Sequence, residues 1–435
     1  MVKFFMCLGA KMNNYVKNSL YSLKNLIKIP SVKSAPVKDA PFGEDIKNCL
    51  QSFLSLANGL GFETVNYDNY IGEVVFGNGN DADGLAILAH LDVVPEGDVE
   101  KWSFPPYDLS FDGTYLYGRG VIDDKGAAII CLYALKKLKD EGFTPNRKIK
   151  LIVGCDEESG WACIDHYKKV ATFPNEGFTP DGEFPVIYAE KGICHIKYDF
   201  TVGDNVEFIE GGSRVNMVCD KATVLLKNIE NYREKLAVLG VKTNKNTVIF
   251  NGVSAHGSTP EKGDNAIKKA LKFLVEIGEF SASTYSNLFE NATGVNNLKD
   301  DTGFLTFSPN VITYKNNKAE ISVDVRYPAT KTLLEVEAEL KKIGDFTLLH
   351  YQAPLYNDTN GKLVKTLLNV YNEKTGENAK PIAIGGGTYA RAIKNGVAFG
   401  MMFDEDAHVP NEKQSLKNYE LCFDIYYEAI KNLTK

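Results

Sequence analysis

The stretch Leu85-Ala86-Ile87-Leu88-Ala89-His90-Leu91 is apolar at every position but one. It lacks the polar alternation of a half-exposed strand, so it predicts a strand buried on both faces of a sheet. Such strands occur where helices cover both sides, which points to a mostly parallel α/β arrangement. Lys148 to Cys155 is a second apolar run of this kind. Helical stripes surround the two. Asn13 to Leu26 and Gly43 to Asn58 read as amphipathic helices, and Lys125 to Leu138 sets Ala128, Cys131, Leu132, Leu135 and Leu138 on one face.

The middle of the chain has a different pattern. Ile321, Val323 and Val325 alternate with Ser322, Asp324 and Arg326, as in a half-buried antiparallel strand. Val311 to Tyr314 precedes it across Lys315-Asn316-Asn317-Lys318, a hairpin turn. Helices near Asp264 to Ile277 and Leu333 to Ile343 would cover one face, giving an α+β insertion. From Gly385 the α/β pattern resumes with a glycine-rich turn, a short helix, a strand Val397 to Phe403 and a final helix from Ser415. The expected organisation is a discontinuous catalytic domain, 1–190 and 385–435, with a lid domain at 191–384.

Composition excludes several functions. The 435 residues suit two or three domains, and 44% hydrophobic with 24% charged residues is ordinary globular usage. Net charge is -7, from 49 Lys plus Arg against 56 Asp plus Glu, so no basic footprint for nucleic acid exists. No apolar run reaches the roughly 18 residues of a membrane span. Met1 to Ala10 is mildly apolar (Phe4, Phe5, Met6, Cys7, Leu8), but the run is short and no cleavage site follows, so a secretory signal is not expected. Met12 is an alternative start that would make the first eleven residues an appendage. The eight cysteines, Cys7, Cys49, Cys131, Cys155, Cys163, Cys194, Cys219 and Cys422, form no Cys-x-x-Cys pair. Buried free thiols in a reducing cytosol are expected.

Chemistry gathers after the apolar strands and turns. His90-Leu91-Asp92 stands at a strand end, where i and i+2 point to one side of the ligand crevice. A His with a carboxylate two positions on suits a metal ligand with its orienting partner, although an ordinary strand-end His would look the same. Gly118-Arg119-Gly120-Val121-Ile122-Asp123-Asp124-Lys125-Gly126 delivers two acids to a helix N-terminus. Capping and the helix dipole would explain one of them or both. Asp156-Glu157-Glu158 follows the second buried run; a cation would relieve the repulsion, and a solvated acidic loop is the alternative. Asp181 lies in a turn, and His408 lies in Asp406-Ala407-His408-Val409-Pro410-Asn411-Glu412. Singly these are weak signals. Together, two His and several acids fit a two-zinc hydrolytic site. His166, His195 and His350 are assigned no role.

At this point the chain resembles the co-catalytic zinc metallopeptidases that include dipeptidases, carnosinases and aminoacylases, and is most similar to the PepV-type bacterial dipeptidases. The matching segments are Ala89 to Pro95, Gly118 to Gly126, Gly154 to Trp161, Pro180 to Pro185, Ala255 to Ser258, Gly385 to Arg391 and the His408 segment, in family order. The resemblance implies a mostly parallel-sheet zinc-exopeptidase domain with an inserted α+β lid. It implies two Zn2+, with Mn2+ or Co2+ as alternatives. His90 and Asp181 would hold one ion, Glu158 and His408 the other, and Asp123 would bridge them, with a cis peptide at Asp123-Asp124. Asp92 would orient His90. Glu157 would be the general base for a water bridging the ions.

From the lid, His256 would stabilise the oxyanion. Arg326 would grip the substrate carboxylate by a bidentate fork, or else pair with Asp324. Asn216 would lie near the carbonyl oxygen. The glycine turn around Gly386 would offer backbone amides, or else be a plain helix entry, and Arg391 would help at the carboxylate end. Asp rather than Glu at 181 marks the dipeptidase and aminopeptidase branches, against an N-acyl amino acid deacylase. The long lid implies a monomer. The expected activity is a cytoplasmic dipeptidase cutting unblocked L-dipeptides; a non-catalytic metal- or peptide-binding protein is the remaining alternative.

Overall fold

The computed structural model describes residues 12–239, 242–403 and 407–435. The Met1 to Ala10 segment with Cys7, the first eleven residues and the acidic run Asp404 to Asp406 lie outside the described residues. The chain forms two compact units. The first comprises the chain up to Tyr188 with Asn357–Ile382 and Gly387–Lys435; the second comprises Ala189–Tyr356 with Ala383–Gly386.

The first unit is built on a mixed sheet. Its centre is four adjacent parallel strands in the order Ile149–Gly154, Leu85–His90, Glu176–Thr179, Asn395–Ala398. Ile71–Phe76 and Glu63–Tyr67 extend the sheet antiparallel on one side, and Ile187 pairs antiparallel with Ala398 on the other. Strands form within both expected apolar runs, at Leu85–His90 and Ile149–Gly154, and every strand residue is buried. Helix Lys125–Asp140 packs on this sheet and against helices Asn14–Ile27 and Leu416–Leu433. It is buried from Lys125 through Leu135 and again at Leu138, which is wider than one amphipathic stripe because neighbours cover it all round. Lys125 is buried and donates from Nζ to the carbonyls of Leu26 and Ile29, 3.2 and 2.7 Å away.

Two expectations differ from the structure. The strand expected at Val397 to Phe403 ends at Ala398. Gly400 takes φ +79°, a left-handed conformation that breaks the extended chain, and a Cβ there would meet Phe184 and Tyr426. Helix Lys362–Thr375, inside the interval 191–384, belongs to the first unit, where it packs on Leu416–Leu433 through its apolar face.

The second unit is an eight-stranded antiparallel sheet. Its strands run Lys242–Asn244, Thr247–Asn251, Lys221–Leu226, Val206–Gly211, Thr306–Lys315, Lys318–Tyr327, Gly192–Thr201 and Phe346–Gln352. The hairpin falls at Asn316 and Asn317, whose φ values of 51° and 60° are those of a type I′ turn. Helices Ala266–Glu276 and Leu333–Leu340 contribute Ile267, Leu271, Leu274, Val336 and Leu340 to one core with Ile196, Ile321 and Val323.

Candidate metal centre

The four parallel strands end side by side, and each hands its chain to a segment carrying expected ligands. Ile149–Gly154 leads to Glu157 and Glu158, Leu85–His90 ends on His90, Glu176–Thr179 leads to Asp181, and Asn395–Ala398 precedes the His408 segment. This is the carboxyl edge where open α/β sheets bind ligands. Asp123 arrives from the turn that opens helix Lys125–Asp140.

Asp123 lies between two histidines. Its Oδ1 is 2.9 Å from His90 Nε2, and its Oδ2 is 2.6 Å from His408 Nε2. His408 Nε2 is also 3.1 Å from Glu158 Oε1, and His90 Nε2 is 3.8 Å from Asp181 Oδ2. His90 with Glu157 and Asp181, and His90 with Asp123 and Glu158, each place three ligand atoms within 4.8 Å of one another. His90 Nε2 and Asp123 Oδ1 are buried yet lack a hydrogen-bond partner among the described residues, despite standing 2.9 Å apart. Two lone-pair atoms that face one another without forming a hydrogen bond fit ligands of a common ion. The set is imidazole and carboxylate without thiolate, which suits Zn2+, Mn2+ or Co2+.

The electrostatics agree with that fit. Burial and the charges of neighbouring acids push Asp181 up to about 7. Burial, aided by Glu158, lifts Asp92 to about 6 despite His90. Glu157 rises well above the carboxylate range through burial and the charges of Asp181, Glu158 and Asp123. Burial alone would lower His90, but Asp123, Asp181 and Asp92 raise it instead. Burial would likewise lower His408, but Asp123 and Glu158 raise it to about 11. Acids pushed upward by one another and histidines raised by those acids both mark crowded negative charge, which a cation would relieve.

Supporting contacts divide the work among the motif acids. His90 Nδ1 lies 2.9 Å from the backbone carbonyl of Asp92 and 3.6 Å from its carboxylate. The ring is therefore held chiefly by the main chain. The Asp92 carboxylate instead accepts the backbone N–H groups of Glu157 and Glu158, both at 3.1 Å. Asp156 anchors the same loop, accepting from Lys33 Nζ, Ser159 Oγ and the Ala162 N–H. This leaves Glu157 and Glu158 for the centre. The Asp123-Asp124 peptide is cis. Asp124 is fully buried, accepts from the His90 N–H at 3.1 Å, and is pushed well up by burial. Arg391 lies in the short helix Tyr389–Ala392, its guanidinium against Gly387.

The second unit carries the other expected residues. Ser258 donates its backbone N–H to His256 Nδ1 at 3.2 Å, which leaves the proton on Nε2. Burial and Arg326 lower the His256 pKa, so the ring is neutral near pH 7. The Asn216 carbonyl accepts the Gly257 N–H at 2.8 Å, which sets Asn216 beside the His256 turn. Arg326 is buried and its Nε and Nη2 donate to Asp324 at 2.9 Å. Its Nη1 donates to the carbonyl of Gly385, beside Gly386. Asp324, buried, takes His195 Nε2 at 3.5 Å from the neighbouring strand. The pairing of Arg326 with Asp324 is thus present, and one edge of the guanidinium is committed to it. Asp324, His195 and the directly opposed His350 form a row across three strands that the sequence offered no reason to connect.

The family model for Peptidase family M20/M25/M40 matches residues 86–432. The chain belongs to this family. A relative from Staphylococcus epidermidis is 34% identical over 464 aligned residues, covering 97% of this chain and 98% of that protein; its dipeptidase name is itself provisional. The chain is similar in fold to the aminoacylhistidine dipeptidase of Vibrio alginolyticus (TM-score 0.61, 14% identity, 96% of each chain). It is also similar to an M20 family metallo-carboxypeptidase of Sulfolobus solfataricus (TM-score 0.57, 17% identity, 95% and 98% of the two chains). As an M20 chain the protein is a peptidase, a hydrolase of peptide bonds, with dipeptidase relatives. Among the described residues no helix is long and apolar enough to cross a membrane.

Proposed function

We propose that this M20 peptidase is a zinc-dependent dipeptidase acting on unblocked L-dipeptides. The observation that carries the reading is the Asp123 carboxylate, one oxygen facing His90 and the other His408, with Glu157 beside them and in neither ion pair. His90 and Asp181 would hold one Zn2+, Glu158 and His408 the second, and Asp123 both; Mn2+ and Co2+ are the alternatives. When bound, such ions supply Lewis acidity and lower the pKa of water.

The residues divide the remaining steps. Glu157 takes a proton from the attacking water as its oxygen bonds to the peptide carbonyl carbon. It returns that proton to the amine nitrogen as the C–N bond breaks. His256 donates from Nε2–H to the carbonyl oxygen as negative charge develops. Arg326, whose other edge is fixed by Asp324, binds the substrate carboxylate with Arg391 and the amides around Gly386, and Asn216 borders the carbonyl. Asp181 in place of Glu favours a free dipeptide over an N-acyl amino acid. The buried thiols of Cys49, Cys131, Cys155, Cys163, Cys194, Cys219 and Cys422 support a cytoplasmic setting. The eight-stranded sheet supports a monomer.

The test is amino-acid release from free dipeptides, their N-acetylated counterparts and tripeptides. The protein is first chelated, then reloaded with Zn2+, Mn2+ or Co2+. Cleavage of free dipeptides alone, and only with metal, is expected. Cleavage of the acetylated set instead would make the chain a deacylase, and silence with metal bound would make it a binding protein. Within the same assay, His256→Ala should lower kcat about 10²- to 10³-fold, the cost of removing one oxyanion donor. An unchanged kcat would remove His256 from the mechanism.

A further inference from the structure

We propose that Glu412 is a positioning residue that sets the distance between the two halves of the metal centre. The inference rests on Asp123 and His408 being ligands. Glu412 lies four residues after His408, and both it and Arg119 are 1% exposed. Its Oε1 accepts the backbone N–H groups of Gly120, Ile122 and Asp123 at 3.0, 3.1 and 3.4 Å. Its Oε2 accepts Arg119 Nη1 at 2.6 Å, and its carbonyl accepts the Gly118 N–H at 3.1 Å. Gly120, at φ +89°, lets the chain curl round the carboxylate so that successive amides converge on it.

The brace reaches a third segment. Arg119 Nη2 donates to the Pro95 carbonyl at 3.2 Å, and its guanidinium lies 5.4 Å from the Trp102 ring centre. Asn411 accepts the Ser103 N–H and donates to the Lys101 carbonyl, both at 2.7 Å. So Asn411 and Glu412 fasten the His408 segment to the turn bearing Asp123 and to the loop after His90. A generic buried ion pair can often be exchanged for apolar side chains. This one cannot, because three buried amides would lose their acceptor. The carboxylate is needed for its acceptor oxygens, and those oxygens fix Asp123 relative to His408.

The test is stepwise ion affinity, measured by chelator competition with Zn2+ on the full chain, beside thermal melting of the metal-free form. Glu412→Gln keeps the shape but turns an amide N–H₂ toward donors. It should weaken one of the two ions about 10- to 100-fold, the usual effect of losing a partner behind a ligand. The other ion, anchored by His90 at its strand end, should loosen less. Arg119→Lys, a milder change that keeps the charge, should weaken the same ion by a smaller factor. Wild-type affinity for both ions in either folded variant would overturn the proposal. So would equal loosening of both that merely follows lost thermal stability. If Glu412→Gln does not fold, Arg119→Lys decides alone. If the unaltered protein itself binds no Zn2+, the metal reading fails, and this inference fails with it, an outcome distinct from the others.

Discussion

Glu157→Gln is expected to slow dipeptide hydrolysis by about 10²- to 10⁴-fold, the usual worth of a positioned general base. Metal content should be unchanged. The amide cannot take up the water's proton, yet it occupies the same volume in the same loop. That loop is held from elsewhere, by the Asp92 carboxylate on two backbone N–H groups and by the Asp156 anchor. The measurement is kcat and KM together with ion stoichiometry. A fall in kcat with both ions retained assigns proton transfer to Glu157. Loss of an ion would instead make Glu157 a ligand, which its closeness to His90 and Asp181 allows geometrically. Retained activity would return the search to the other acids.

Stripping the ions is expected to destabilise the first unit as well as silence it. An ion present at about 1,000 times its dissociation constant stabilises the folded state by about 4 kcal/mol per site. At roughly 2–4 °C per kcal/mol for a unit of this size, two ions correspond to about 15 °C or more in melting temperature. The metal-free form should also respond to pH. Asp92 at about 6 and Asp181 at about 7 hold protons in the folded state that the unfolded chain gives up near pH 4. Folded pKa values above unfolded ones for acids mean stability falls as pH rises from about 4 to 7. His408, raised to about 11, adds stability that is full below its unfolded pKa and declines above it, in the same direction. Calorimetry of chelated protein at pH 5 and pH 8 should therefore show the higher melting temperature at pH 5. A chelated protein indifferent to pH, or one that melts with the metal-loaded form, would count against a closely packed ion pair.

What was legible in the sequence depended on distance along the chain. Leu85 to His90 declares itself because a strand covered on both faces leaves no polar alternation. Its terminal His inherits the crevice from that position alone. The Asn316-Asn317 hairpin is likewise local, since the turn type needs two residues tolerant of positive φ. Helix Lys362–Thr375 falls inside the expected 191–384 interval yet belongs to the first unit, because an amphipathic stripe does not say which unit covers it. The last strand ends at Ala398 although apolar composition continues through Phe403, because Gly400 turns the backbone.

The partners of the site acids were the least visible. Asp92 looked like the orienter of its neighbour His90, but its carboxylate serves amides about 65 positions away. Glu412 was in plain view within the His408 segment, yet the amides it holds lie some 290 residues earlier. The pairing of Arg326 with Asp324 was readable from i,i+2 spacing on one strand face. The contribution of His195 was not, because it depends on which strand lies alongside.

The four parallel strands that end together have one more consequence. Neighbouring strands in any sheet stand about 4.8 Å apart, a spacing set by backbone hydrogen bonds and indifferent to side chains. In hydrolases that use two metal ions, the ions sit about 3.5–4 Å apart. His90 stands at a strand end, and Asp181 and Glu158 follow two and four residues after neighbouring ones, so these side chains begin near such a separation. The main chain serves as a ruler that substitutions inside the strands cannot recalibrate. That would let the packing of such a sheet drift through many apolar exchanges while the reach between its ends stays the same. It offers a reason why a fold can remain superimposable on solved structures that share only about one residue in seven with it.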